Sequence, residues 1–247
     1  MTTKQNRRSY DARQEIIDAI LASHATSRIL KNKSDIKRYL QQYFANVPHE
    51  DIAGRDEEIM ARVALDHLEF GVERRRGHAL LRIFNANEKE HGYTSAYSFV
   101  EMINDDMPFL VDSVATAIKH QNLAVHITVH PIISVKRDDK DRLTGVANPD
   151  DEEAYPESFI RFAITRTTDE KLLKSLRKTI EKALADVRVA VRDWGEMRQR
   201  MRETRDQLEN GPKGVDPLLR IETQALLDWF VDEHFTILKE GLENNRR

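Results

Sequence analysis

The chain has 247 residues, 40% hydrophobic and 33% charged, enough for one substantial core plus a second element, and its formal net charge of -3 argues against a nucleic-acid binder. Zero cysteines exclude disulfides and Cys-ligated zinc or iron–sulfur centres and suit a reducing cytosol. The opening Met1–Arg8 has no apolar run behind its charges, and no stretch approaches the roughly 20 apolar residues of a membrane span, so a soluble, cytoplasmic chain is expected. Three helical patterns come first. Ile16, Ile17, Ile20 and Leu21 continue toward Leu30; Ser34 is read as the cap of a helix carrying Ile36, Tyr39, Leu40, Tyr43 and Phe44; a third spans 55–74 with Ile59, Val63, Leu65 and Leu68 inward.

The texture then turns to alternation. Ala79, Leu81 and Ile83 predict one strand and Tyr97 to Ile103 the next, which runs into Asn104-Asp105-Asp106-Met107-Pro108-Phe109 and the first apolar turn of a helix. Pro108 suits a first turn that needs no donor, and Asp105 or Asp106 is expected to cap the free N–H groups. After that helix, Leu123, Val125, Ile127, Val129, Ile133 and Val135 share one parity and so one face, and Pro131 predicts an edge position or a bulge. His126, Thr128 and His130 fall on the other face. Two histidines alone do not make a metal site, so these are read as a solvent or partner face and no metal ligand is assigned. Residues 138–157 read as an exposed acidic loop, and Ser158 to Thr165 as a strand. Arg74-Arg75-Arg76 reads as a solvated helix end, with Lys136-Arg137 a second basic cluster.

Leu173, Ile180, Val187, Trp194, Met201 and Leu208 recur every seven residues, which predicts a coiled-coil-like seam on one long helix. Asn210 to Gly214 breaks it, and Asp216-Pro217 starts a return helix with Leu219, Leu226, Trp229 and Phe230. The domains expected are a helical bundle over 1–76, an α+β unit over 77–190 and a helical hairpin over 191–247. The α+β unit would have an antiparallel sheet with helices on one face.

The strand-loop-helix at Asn104 to Ser113 resembles the first such unit of ACT domains, βαββαβ modules that typically sense amino acids. The resemblance implies a fourth strand after the second helix, where this chain stays helical; the strand at 78–85 can supply it from the N-terminal side. ACT loops usually carry glycine after the proline, where Phe109 stands here. The ring either plugs a pocket or takes a ligand's place.

The string Asn-Asp-Asp-Met-Pro-Phe-Leu-Val-Asp-Ser, with Phe159 to Thr165 and Leu227-Asp228-Trp229-Phe230 to His234-Phe235-Thr236, resembles the N-terminal region of large bacterial NAD-specific glutamate dehydrogenases. Beyond Phe235 the likeness fades. That family oxidises glutamate to 2-oxoglutarate and ammonium with NAD. The resemblance implies a regulatory and assembly region, homo-oligomeric, whose partner is the rest of the parent enzyme. Asn104, Asp105, Asp106, Pro108, Phe109, Leu110, Asp112 and Ser113 form the candidate turn for an amino-acid effector or an interface.

No Gly-x-Gly and no Gly-Lys-Ser/Thr occurs, so no nucleotide cradle and no cofactor are expected in this chain, and no catalytic residue is assigned. Two other classes remain as alternatives. One is a free-standing ACT-like amino-acid sensor or interaction module. The other is a ferredoxin-like RNA binder, disfavoured by charge and by aromatics that do not share a parity.

Overall fold

The structure, a computed structural model, describes residues 14–15, 17–22, 27, 29–48, 56–208 and 216–231. The chain divides into two compact units, 1–182 and 183–247. The start of the first predicted helix, the Asn210 to Gly214 breaker and the His234 to Thr236 motif lie outside the described residues.

In the first unit, helix α1 (Lys33–Tyr43) starts at Asn32, not at Ser34. The Asn32 side chain accepts from Asp35 N at 2.8 Å, while Ser34 donates back to it at 2.7 Å. An amide oxygen two residues earlier thus takes the capping role. Helix α2 (Glu57–Phe70) is capped by Asp56 and is rotated from the expected face. Met60, Ala61, Ala64, Leu65, His67 and Leu68 are buried, whereas Ile59 is 39% exposed. The 61, 64, 65, 68 spacing is the better helical stripe, and its small alanines let the helix lie close to the sheet. Gly71 follows at a tight approach, where an added Cβ would stand 2.8 Å from Ile103 Cδ1.

Strands β1 (Leu80–Asn85), β2 (Tyr97–Asp105), β3 (Val125–Val129), β4 (Ile132–Arg137), β5 (Leu143–Val146) and β6 (Tyr155–Thr165) form one sheet, every pairing antiparallel. A short helix, α3 (Glu88–His91), links β1 to β2, and α4 (Leu110–His120) links β2 to β3. β1 lies beside β2, on the edge where a βαββαβ plan puts its fourth strand, so the N-terminal strand completes the sheet as expected.

β3 and β4 act as one interrupted strand along β6. Val129 pairs with Arg161 and Ile132 with Ser158, so the register holds across the gap. Pro131 has no N–H to give, yet its carbonyl still accepts from Phe159 N at 2.9 Å. Residues 138–157 are not all loop: β5 sits inside that stretch, and β6 starts three residues earlier than expected, at Tyr155.

Both faces of the sheet are covered. On one, Ile103, Ile133, Val135 and Phe159 share a core with Tyr39, Leu40, Tyr43, Ala64 and Leu68 of the helical layer. On the other, Val100, Met102, Ile160, Phe162 and Ile164 are buried, as are Leu110, Val114 and Ile118 of α4 and Leu176 and Ile180 of helix α5 (Glu170–Gln207). Gln121, just past α4, donates to Thr179 of α5 at 3.1 Å, and Arg177 of α5 reaches the Leu81 carbonyl of β1 at 3.0 Å. An ACT-like pair of helices thus occupies one face, and α1 and α2 close the other.

In the second unit, α5 continues to Gln207, and helix α6 (Pro217–Trp229) opens with Pro217 in its first turn and Asp216 as cap. Arg205 pairs with Asp228 at 3.2 Å, joining the two helices as a hairpin. Leu218, Leu219, Ile221, Leu226 and Trp229 are 44–63% exposed. Among the described residues no helix is long and apolar enough to cross a membrane.

Candidate functional site

β2 runs two residues further than its apolar pattern, and this decides the fate of both aspartates. Asn104, 1% exposed, and Asp105 pair across the ladder with Ser158 and Glu157. Asp105 Oδ1 accepts from Arg74 Nη2 at 2.8 Å and Oδ2 from Gly77 N at 3.1 Å. Asp106 donates its N–H to Pro156 O at 3.1 Å and accepts from the Ser158 hydroxyl at 2.6 Å. Neither caps α4, contrary to expectation: the helix has no side-chain cap, because its preceding residue is Phe109 and both carboxylates are turned to the sheet.

Phe109 has φ 70 and ψ 0, the left-handed conformation that favours glycine. Its ring is 38% exposed. Leu110 is buried beneath the turn, Pro108 and Asp112 are exposed, and Ser113 is half-buried with its N–H on the Phe109 carbonyl at 3.1 Å.

A measurable consequence follows from this backbone. A side chain in the left-handed region costs ~1–2 kcal/mol, which glycine avoids. Phe109→Gly should therefore be more stable than Phe109→Ala by about 1 kcal/mol, although it removes no less apolar surface. Paired urea melts of the two variants check this. Alanine as the more stable one would contradict the assigned backbone.

Behind the turn lies a buried ionic platform that the sequence reading placed in solvent. Glu157 is fully buried on β6 and accepts from Arg74 Nη2 at 2.7 Å and from Arg137 Nε at 2.6 Å and Nη2 at 2.8 Å. Arg74 is 1% exposed, and the side chain of Arg137 is fully buried. Arg137 also caps the Gly71 and Asp141 carbonyls at 2.9 and 2.8 Å. Burial pulls the Arg74 guanidinium down, but Glu157 and then Asp105 outweigh it and its pKa ends above the ordinary value. α2 ends at Phe70, so the arginine run is a loop and not a helix end. Of the three, Arg75 and Arg76 face solvent, Arg76 bound to Asp141 at 2.9 Å. Lys136 reaches Asp151 and Glu153 at 2.9 and 3.1 Å, so the acidic loop is partly tied down.

A second buried cluster, missed in the sequence, lies further along the same face. Glu101 of β2 is fully buried and directly opposite Arg161 of β6, whose Nη1 it receives. Arg82 of β1 completes the row with Nε 2.7 Å from Glu101 and a second link to Asp66 of α2 at 2.5 Å. Burial raises the Glu101 carboxyl, yet Arg161, His67 and Arg82 together hold it at about 2. His67, buried between Tyr43 and Phe159 with Nδ1 3.2 Å from the Tyr43 hydroxyl, is pushed down to about 4, chiefly by burial. The signal was available: Arg82, Glu101 and Arg161 are each the one charge in the apolar run predicted for their strand, 79–83, 97–103 and 158–165.

His126 is exposed near Thr165 at 3.4 Å, and half-buried His130 contacts the Ser158 hydroxyl at 3.0 Å. Thr128, between them, is exposed. Among the described residues no group of three or more His, Asp or Glu is placed to hold a metal.

These features coincide with known sequences. A family model described as "Glutamate dehydrogenase, ACT1 domain" matches residues 39–180, from α1 through the first turns of α5. The chain is 31% identical over 226 residues to the NAD-specific glutamate dehydrogenase of Halomonas elongata, covering 88% of this chain. It is 26% identical over 227 residues to the enzyme of that name from Pseudomonas aeruginosa, covering 91%. The chain spans 14% of the length of each relative. The match takes in the whole sheet, the Asn104 to Ser113 turn and both buried ionic clusters, and on it the chain belongs to the family of glutamate dehydrogenase ACT1 domains.

Proposed function

We propose that this chain is the N-terminal regulatory and assembly region of a large NAD-specific glutamate dehydrogenase, and that it carries out no chemistry itself. The parent reaction would be glutamate and NAD to 2-oxoglutarate, ammonium and NADH. The observation that carries this reading is the ACT1 match over residues 39–180, in a chain whose sequence has neither Gly-x-Gly nor Gly-Lys-Ser/Thr. The charged residues of the sheet face toward α1 and α2 are paired into the fold rather than set beside a nucleophile.

Within that reading, the Asn104 to Ser113 turn is a contact surface for the rest of the parent rather than an open amino-acid pocket. Asp105 and Asp106 are spent on Arg74 and Ser158, and Phe109 projects where glycine would leave room. The exposed apolar face of α6 supports an assembly role for the second unit, with a homo-oligomer as the expected state.

The purified chain should form no NADH from glutamate and NAD. It should also give no heat with glutamate, aspartate or branched-chain amino acids in titration calorimetry. A saturable signal removed by Asp106→Ala would establish an effector site at the turn and favour the amino-acid sensor. NADH formation lost on a point change within the chain would overturn the non-catalytic assignment.

A further inference from the structure

On the sheet face that carries Glu101 and Arg161, a cavity of about 360 Å³ opens between the helical layer and strands β2, β3 and β6. Its walls are mostly apolar: Tyr43 and Met60 from the helices, Phe99, Ile127 and Ala163 from the sheet. The volume is more than twice the ~150 Å³ cavity that accepts benzene, and lies within the range of small-molecule sites. Among the described residues one cation lines it. Arg161 is 7% exposed, stacked with its guanidinium carbon 3.9 Å from the centre of the Phe99 ring.

The state of that arginine indicates the ligand. Of its five N–H donors, one goes to Glu101 and one, at 2.7 Å, to the Tyr93 hydroxyl. Glu101 is shared with Arg82, which also holds Asp66, so the cluster is balanced in charge and what Arg161 has left to offer is its remaining N–H donors. Among the described residues the acid on the lining is Asp56, which is exposed and holds the N-terminus of α2 through Ile59 N at 2.9 Å. A planar guanidinium with spare donors in a mostly apolar wall suits a carboxylate, and a neutral apolar guest would leave those donors unmet. A single cation gives no cradle for a polyphosphate.

We propose that this cavity binds a small organic acid with an aromatic or branched apolar body and no ammonium group, which the apolar walls would leave unpaired, its carboxylate accepting from Arg161 and its body resting on Phe99, Ile127 and Ala163. The site is distinct from the turn at the start of α4: it lies on the sheet face covered by α1 and α2. It does not depend on the assembly role proposed above.

The test uses 3-phenylpropionate and its neutral amide as probes, in titration calorimetry with the whole chain. The acid should bind with a Kd on the order of 0.1–1 mM, and the amide at least about tenfold more weakly. Ile59→Trp, at an exposed position on the lining, should block the mouth and abolish the heat. The double substitution Glu101→Gln with Arg161→Met removes the ion pair as a unit, leaves Arg82 to Asp66, and should erase the preference for acid over amide. In the unaltered protein, methyl resonances of Ile59, Val63 and Ile127 should shift on titration, a readout that needs no variant to fold. No saturable heat up to about 10 mM, equal binding of acid and amide, or shifts confined to other methyl groups would overturn the proposal.

Discussion

Glu157→Gln should be the most damaging conservative change in the chain. The substitution keeps the shape of the side chain but removes the one charge that Arg74 and Arg137 both face, and sets an amide against their donors. Arg137 then has no carboxylate, and Arg74 retains only Asp105, whose side chain is 34% exposed. Breaking a buried ion pair from one side costs ~3–5 kcal/mol, a large share of the ~5–15 kcal/mol that holds a typical domain together. Asp105→Asn should cost far less, since Glu157 still neutralises Arg74. Urea midpoints rank the two. Equal midpoints would mean that the platform is not what joins the 71–78 loop to the sheet.

Acid should destabilise the protein from below pH 6.5, earlier than carboxylates alone would cause. His67 is neutral when buried, with its pKa near 4, whereas the unfolded chain titrates near 6.5. Between those values the unfolded state binds more protons, so stability falls as pH falls, by roughly 3 kcal/mol once pH 4 is reached. Glu101 works in the next window. Its folded pKa of about 2 contributes stability that is full above about 4.5 and is lost toward 2. His67→Phe, placed among Tyr43 and Phe159, should lower the baseline by removing the Tyr43 contact yet flatten the slope between pH 6.5 and 4. An unchanged slope in that variant would remove His67 as the cause.

Much of the sheet was legible because period-two parity survives in a strand that is covered on one side. Leu123 to Val135 carry it plainly, and Pro131 interrupted the ladder where its missing donor required. The place of β1 also followed from the sequence, since the βαββαβ plan lacked one strand and the alternating segment at 78–85 was unassigned. The pairing of the buried charges was not legible. Arg74 lies 83 residues from Glu157 in the chain, so a local reading sees a basic run and assigns it to water. Arg161 and Glu101 stand 60 residues apart and meet only through strand pairing. The same blindness hid the turn. Pattern alone allowed Asp105 and Asp106 to cap α4, and only the extra length of β2 turned both toward the sheet. Phe109 carried the right clue, a large residue at a glycine position, but its exposure depended on what lay around it.

The proposal that this region assembles the parent enzyme without taking part in its chemistry is tested most directly by the dilution dependence of the parent's specific activity, with and without Phe109→Asp. Aspartate tolerates the left-handed backbone better than phenylalanine and puts a charge where the exposed ring stands, so the region itself should stay folded. The account predicts that the variant loses activity at low enzyme concentration and recovers it at high concentration, with KM for glutamate and NAD unchanged. A loss of kcat equal at every concentration would place the turn in the chemistry, and a dilution curve that overlays the wild type would remove it from the assembly.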